Sequence, residues 1–264
     1  MKTRIISGIV MGAIVAAVLA AGYLLNSFII TVAVALIAAG AAYELIHNAV
    51  GIKSKAAIIG ACIYAGLAVL ATRYTYHSFF FVSIIYFLFA VVIVLKNNKE
   101  LTLAHIASLC GLPLALGFAF FCLEFVLNKK FGGIYYLLLL LNFSSVCDMG
   151  AYFTGSFLGK HKLCPNVSPK KTVEGAIGGI AASVIVTVIL TLCFKKAMLL
   201  PIVLTIPFCV IGMLGDLFAS SIKRAVGLKD YGSLIPGHGG ILDRVDSIIM
   251  IVPMLFMLIV YGVI

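Results

Sequence analysis

Long apolar runs broken by short polar segments dominate this chain. Runs long enough to cross the hydrocarbon of a bilayer as helices, about 18 residues or more, are read at roughly 5–25, 28–46, 56–72, 78–95, 104–126, 133–153, 173–194, 199–218 and 247–264. The pattern predicts an all-α, polytopic integral membrane protein with about nine transmembrane helices. Polar residues gather in the breaks, and most densely in 220–247, SSIKRAVGLKDYGSLIPGHGGILDRVDS.

Composition agrees with this reading: 63% of residues are hydrophobic, 11% are charged, and the mean hydropathy is +1.21. Charge adds an orientation. With nine spans and the N-terminus inside, one set of loops holds Lys2, Arg4, Lys53, Lys55, Lys96, Lys99, Lys160, Lys162, Lys170, Lys171, Lys223, Arg224, Lys229 and Arg244. The other holds Arg73, Lys129, Lys130, Lys195 and Lys196, a split of fourteen to five in the direction of the positive-inside rule. The net charge of +10 is then mainly a cytoplasmic-face charge, suited to anionic lipid headgroups and nucleotides.

Residues 1–130 are expected to be scaffold helices and 131–264 the catalytic transmembrane region. Lys2 and Arg4 before a long apolar run read as an uncleaved first helix rather than a signal peptide. Gly8 and Gly12 are spaced for close helix crossing. His47, His77 and His105 sit at span ends, where capping or interfacial roles are expected. The seven cysteines are read as packing residues.

The chemistry begins after residue 133. Span six ends NFSSVCDMGAYFTG, which puts Ser144, Ser145, Asp148 and Tyr152 on one helical face. An Asp there costs about 2.5–3.5 kcal/mol to insert, so a site outweighs a structural hydrogen-bonding pin. In the next loop, Ser168 is suited to N-cap a helix, with Pro169 at its first position and Lys170 and Lys171 in its first turn. Basic residues there oppose the helix dipole unless an anion is bound, which predicts a phosphate. Glu174 reads equally as a lysine partner or a site residue. Gly175 and Gly179 are spaced for close packing.

Span eight ends with Asp216, Ser220, Lys223 and Arg224 within about 80° of one another on the helical wheel. They lead into the turn Pro236, Gly237, His238, Gly239, Gly240. Gly239 and Gly240 permit positive φ and close approach to a ligand, and His238 could donate to a phosphate oxygen or shuttle a proton. Asp243 and Asp246 lie three apart at the start of span nine, where acids also suit the helix dipole. With Asp216 and Asp148 from other helices, they form a hard-oxygen set suited to Mg²⁺ and bridging phosphates.

The run Ser220, Ile222, Lys223, Arg224, Lys229, Asp230, Gly232, Ile235, Pro236, His238, Gly239, Gly240, Ile241, Asp243, Arg244, Val245, Asp246 resembles the signature of the phosphatidate cytidylyltransferases (CDP-diacylglycerol synthases). DMGAYFTGSFLGKHKL and SPKKTVEG are similar to other stretches of that family. The resemblance is close over 144–247. It implies transfer of the cytidylyl group of CTP to phosphatidic acid, giving CDP-diacylglycerol and pyrophosphate, with Mg²⁺ required and K⁺ a candidate second cation. It also implies Asp216 and Asp243 as metal-site acids, and Lys223, Arg224 and Arg244 as phosphate ligands.

Combined with the spacing, this gives Asp216, Asp243 and Asp246 on metal, with Asp148 supporting them. Lys171, Lys223, Arg224 and Arg244 are expected on phosphates, with Ser168, Lys170 and Ser220 nearby. His238, Gly239 and Gly240 are expected to shape the nucleotide phosphate pocket. The expected partners are CTP, phosphatidic acid, the lipid bilayer and a second copy in a homodimer, with no nucleic acid. The expected location is a bacterial-type cytoplasmic membrane, with the active site facing the cytoplasm. The alternatives are a CTP-dependent transferase for another lipid phosphate or an isoprenoid lipid, and an ion-coupled transporter using Asp148 and Asp216.

Overall fold

The computed structural model describes residues 2–74, 76–97, 101–128 and 133–263. Lys99, Lys129, Lys130 and the expected boundary at 130/131 lie outside the described residues. The helices are α1 (Lys2–Leu24), α2 (Phe28–Tyr43), α3 (Lys55–Leu70), α4 (Tyr76–Lys96), α5 (Leu103–Leu127), α6 (Gly133–Leu141), α7 (Cys147–Leu158), α8 (Val173–Cys193), α9 (Leu199–Ala225) and α10 (Leu242–Val260). A π-helical turn, Glu44–Ala49, extends α2, and another, Asn142–Val146, joins α6 to α7.

Among the described residues, eight segments are long and apolar enough to cross a membrane: Ile6–Leu24, Phe28–Ala49, Lys55–Arg73, His77–Lys96, Leu103–Leu127, Gly133–Leu158, Val173–Cys193 and Leu199–Ala225. The protein is therefore an all-α, multi-pass membrane protein. The ninth expected span also forms a helix, α10, but its first turns carry Asp243, Arg244 and Asp246, which shortens its apolar part.

The chain divides into two compact units, Met1–Asn128 with Val226–Val245, and Lys129–Ala225 with Asp246–Ile264. The N-terminal helices thus carry with them a segment from near the other end of the sequence, so the units do not follow a single cut at residue 130.

In the first unit α2 and α3 pack through small residues: Ala38, Ala41, Ala42, Ala57, Ala61, Ala65 and Ala68 are fully buried. Small side chains let helix backbones approach where lipid supplies no hydrophobic drive. Where larger polar groups enter, they are paired. Tyr86 donates its hydroxyl to Leu109 O at 2.9 Å, and Thr31 donates to buried Glu124 at 2.7 Å, with Arg73 3.7 Å from the same carboxylate oxygen. His105 forms a reciprocal cap with Thr102 at the start of α5. Among the described residues, Gly8 and Gly12 do not make the expected crossing: nothing there lies within 4 Å of a Cβ built on Gly12, and one on Gly8 would meet the His238 ring at 3.6 Å.

In the second unit α7 and α8 meet through glycines. A Cβ on Gly175 would lie 2.7 Å from Ala151 O, and one on Gly179 would strike Cys147 O at 2.5 Å, which is why both positions hold glycine. α8 and α9 are joined by Thr187 and Thr205 hydroxyls 2.8 Å apart, and Asn142 in the π-turn donates to Ser183 O at 3.0 Å and to Thr187 Oγ1 at 2.9 Å. α10 lies on α9 at Gly212 and Gly215, beside Ile251 and Met250.

Two local expectations fail. Ser168–Thr172 is a strand paired antiparallel with Lys162–Cys164, not the start of a helix. The φ fixed by Pro169 suits an extended chain as well as a first helical position, and pairing with the other strand decides between them. α8 begins instead at Val173, capped by Thr172, whose Oγ1 accepts the Gly175 N–H at 3.1 Å. Lys170 and Lys171 therefore precede the helix, and acidic Glu174 takes the first turn, where the dipole favours it. The π-turn also splits the face proposed for Ser144, Ser145, Asp148 and Tyr152, leaving Ser144 buried and Ser145 exposed.

Candidate active site

The second unit holds a cavity of about 500 Å³ lined by Asp148, Tyr152, Lys162, Ser168, Lys170, Lys171, Thr172, Met213 and Asp216, among others. α7 supplies Asp148, α9 supplies Asp216, and the hairpin between α7 and α8 supplies the lysines. The hairpin is fastened to α8 by Glu174. Its carboxylate accepts the N–H groups of Lys160 at 3.1 Å and His161 at 3.2 Å, and sits 2.5 Å from His161 Nδ1. Glu174 is thus paired with histidine and backbone rather than with a lysine.

Lys171 Nζ lies 2.5 Å from Asp216 Oδ2, and Asp148 is close enough to feel both charges. The Lys171 ammonium is shielded from solvent, and its charge is met by the Asp216 carboxylate. Two carboxylates and a cation on one cavity suit a site where metal and phosphate bind together. Among the described residues no group of three or more His, Cys, Asp or Glu is placed to hold a metal by itself. Mg²⁺ commonly takes only one or two carboxylates and completes its shell with water and substrate phosphates, so Asp148 and Asp216 fit that ion.

Of the other expected residues of this unit, Ser220 and Asp246 lie near these. Ser220 donates to Asp216 Oδ1 at 3.4 Å. Lys223 is buried and Arg224 exposed in the last turn of α9, and neither lines the cavity. Asp246 Oδ1 accepts the Ser247 N–H at 2.8 Å, and the backbone carbonyl of Asp246 packs beside Gly215, next to Asp216.

The first unit holds a second cavity, of about 520 Å³, whose wall includes Lys229, Asp230, Gly237, His238, Gly239 and Arg244. Its turn closes on itself through Ile235 N–H to Gly239 O and His238 N–H to Ile235 O, both 2.9 Å. Gly237 and Gly239 have φ of +77° and +85°, as the turn requires. Gly240 does not; a Cβ there would strike the Glu44 carboxylate. His238 Nδ1 is 2.8 Å from Ser7 Oγ. Asp243, expected on metal, is 8% exposed, and its Oδ2 accepts the N–H groups of Tyr231 at 2.8 Å and Gly240 at 2.9 Å.

The residue that sequence reasoning missed is Glu44. It is 4% exposed and accepts the N–H groups of Ile241 and Leu242, each at 2.9 Å. Its signal was faint but present. It is one of nine acids in the chain and sits inside an apolar span, where a carboxylate is expensive without a partner.

The family model described as "Cytidylyltransferase family" matches residues 2–262. The chain is 44% identical over 130 residues to a phosphatidate cytidylyltransferase of Staphylococcus saprophyticus subsp. saprophyticus, covering 48% of this chain and 50% of that protein. It is 43% identical over 130 residues to the protein of that name from Staphylococcus haemolyticus, with the same coverage. It is 38% identical over 159 residues to that of Staphylococcus epidermidis, covering 58% and 59%. The matches thus span about half to three-fifths of the length of these relatives. With a family match that runs through both cavities and nearly from end to end, the chain belongs to the cytidylyltransferase family.

Proposed function

We propose that this protein transfers the cytidylyl group of CTP to the phosphate of phosphatidic acid, releasing pyrophosphate and leaving CDP-diacylglycerol. Family membership and the names of the relatives support this reaction class. The observation that carries the reading is the cavity that brings the cation of Lys171 together with the carboxylates of Asp216 and Asp148.

An oxygen of the phosphatidate phosphate is already a nucleophile. It bonds to the α-phosphorus of CTP as the bond from that phosphorus to the bridging oxygen of the β-phosphate breaks, and pyrophosphate leaves with the electron pair. The protein's task is to bring two polyanions together in line and to offset their repulsion. Asp148 and Asp216 would hold Mg²⁺, which would neutralise phosphate charge and support the leaving group. Lys171 turns from Asp216 toward a phosphate oxygen, while Lys162 and Lys170 add positive potential at the cavity wall. Lys229, His238 and Arg244 offer donors for phosphate in the other cavity. The acyl chains stay in the bilayer. The fourteen-to-five split of basic residues supports a cytoplasmic active site, where CTP is supplied.

The test is label transfer from α-labelled CTP into lipid by the purified protein in detergent with phosphatidic acid and Mg²⁺, alongside Asp216→Asn. Label in CDP-diacylglycerol that is lost in the variant is the expected result. Label that enters only a different lipid phosphate, or an isoprenoid alcohol, would replace the acceptor. No transfer by folded protein to any of these would sink the reading.

A further inference from the structure

Glu44 lies in α2's π-helical extension, about two hundred residues before the segment it touches, and takes no part in the motifs discussed above. Its two carboxylate oxygens are divided between two donors, Oε1 accepting Ile241 N–H and Oε2 accepting Leu242 N–H. These are among the N–H groups at the start of α10 that have no partner within the helix. A negative charge is favoured there, and Glu44 supplies it from another helix.

The neighbouring residues are arranged around the same carboxylate. A Cβ on either Gly232 or Gly240 would run into it, so glycine at both positions lets the segment close over Glu44 without displacing its carboxylate. One turn further along, Asn48 Nδ2 donates to Tyr231 O at 2.7 Å. Asp243 Oδ2 then ties the two ends of the segment together through Tyr231 N–H and Gly240 N–H. The result is a continuous path: Glu44 fixes the first turn of α10, that turn carries Asp243 and Arg244, and Asp243 fixes the segment that walls the cavity of Lys229, His238 and Arg244. Glu44 does not line that cavity.

We propose that Glu44 is a positioning residue for phosphate binding, holding residues 229–244 so that Lys229, His238 and Arg244 converge on one cavity. This rests on the reading of the protein as a cytidylyltransferase acting on phosphates. It also assigns a reason to Gly232, and to Gly240, which the sequence alone attributes to ligand approach. Glu44→Gln keeps the size of the side chain but presents an NH₂ to one of the two N–H groups, removing one charge-assisted bond and setting donor against donor.

The experiment uses the full chain in detergent, with Glu124→Gln as the control. Glu124 is a buried acid of the same unit that bonds Thr31 and Arg73 instead. Three quantities are read: amide hydrogen exchange over 229–243, the Kd for inorganic pyrophosphate, and KM against kcat for label transfer. Glu44→Gln should speed exchange in that segment and raise the pyrophosphate Kd, each by about tenfold, the order expected for one charge-assisted bond. KM for a phosphate substrate should rise by a similar factor, with kcat changed less. Glu124→Gln should lower the melting temperature without moving exchange or pyrophosphate affinity, and Glu44→Asp should recover part of the loss. Unchanged exchange and affinity in Glu44→Gln would overturn the proposal, as would shifts that track melting temperature equally in both variants. If the wild type binds pyrophosphate but transfers no label, the reaction assignment fails, and the Glu44→Gln exchange and affinity data still decide the role of Glu44.

Discussion

Asp148 and Asp216 face open volume and a cation, whereas Glu44 and Asp243 face backbone N–H groups. The first pair borders open volume beside the charge of Lys171. The second accepts backbone N–H groups that would otherwise be buried without partners. All four are acids in or beside apolar spans, so residue type and depth do not distinguish them. What separates them is whether a glycine-rich backbone has closed around the carboxylate. This closure has occurred at Glu44, where Gly232 and Gly240 leave no room for a Cβ, but not at Asp216, whose neighbour is the side chain of Lys171.

The comparison predicts opposite outcomes for similar substitutions. Asp216→Asn should give the largest loss of activity, about a hundredfold to a thousandfold, with little change in melting temperature, because both members of its ion pair are about a quarter exposed. A large fall in melting temperature would move Asp216 into the structural class. Gly240→Ala should do the reverse. A methyl group meeting the Glu44 carboxylate displaces that carboxylate or the segment it holds, at about 1–3 kcal/mol, seen as a lower melting temperature and faster exchange over 229–243. Asp243→Asn should follow, since a neutral acceptor can still meet Tyr231 and Gly240 but without charge assistance, costing about 1–2 kcal/mol. A loss of transfer activity comparable to that of Asp216→Asn, with melting unchanged, would place Asp243 with Asp216 and not with Glu44.

The helices were legible because an apolar run of this length has few other stable conformations in a membrane, and the acids of α7 and α9 stood out against those runs. The glycines at 175 and 179 were legible for the same reason, since their spacing matters only on a helix. Three features were not legible. Ser-Pro-Lys-Lys fits a helix start and a strand equally, and only the partner strand Lys162–Cys164 selects between them. The π-turn at Asn142–Val146 changes which residues share a face, and periodicity arguments assume that it is absent. The role of Glu44 depends on contacts with residues 232, 240, 241 and 242, a separation that no local pattern records.

The smallest expected effect tests whether burial is what gives such an anchor its importance. Glu174 resembles Glu44 in accepting backbone N–H groups, those of Lys160 and His161, and it too holds a segment that carries cations to a cavity. It differs in setting. Its side chain is 26% exposed and its partner His161 is 79% exposed, so water can replace much of what is lost and salt screens the rest. Glu174→Gln should therefore change label transfer by less than about threefold and leave melting nearly unchanged, with faster exchange confined to the amides of residues 160–161 and the hairpin. If transfer instead falls as far as in Glu44→Gln, the hairpin's position is set by Glu174 alone, and the feature that matters in both anchors is the cation-bearing segment they hold rather than the depth at which they hold it.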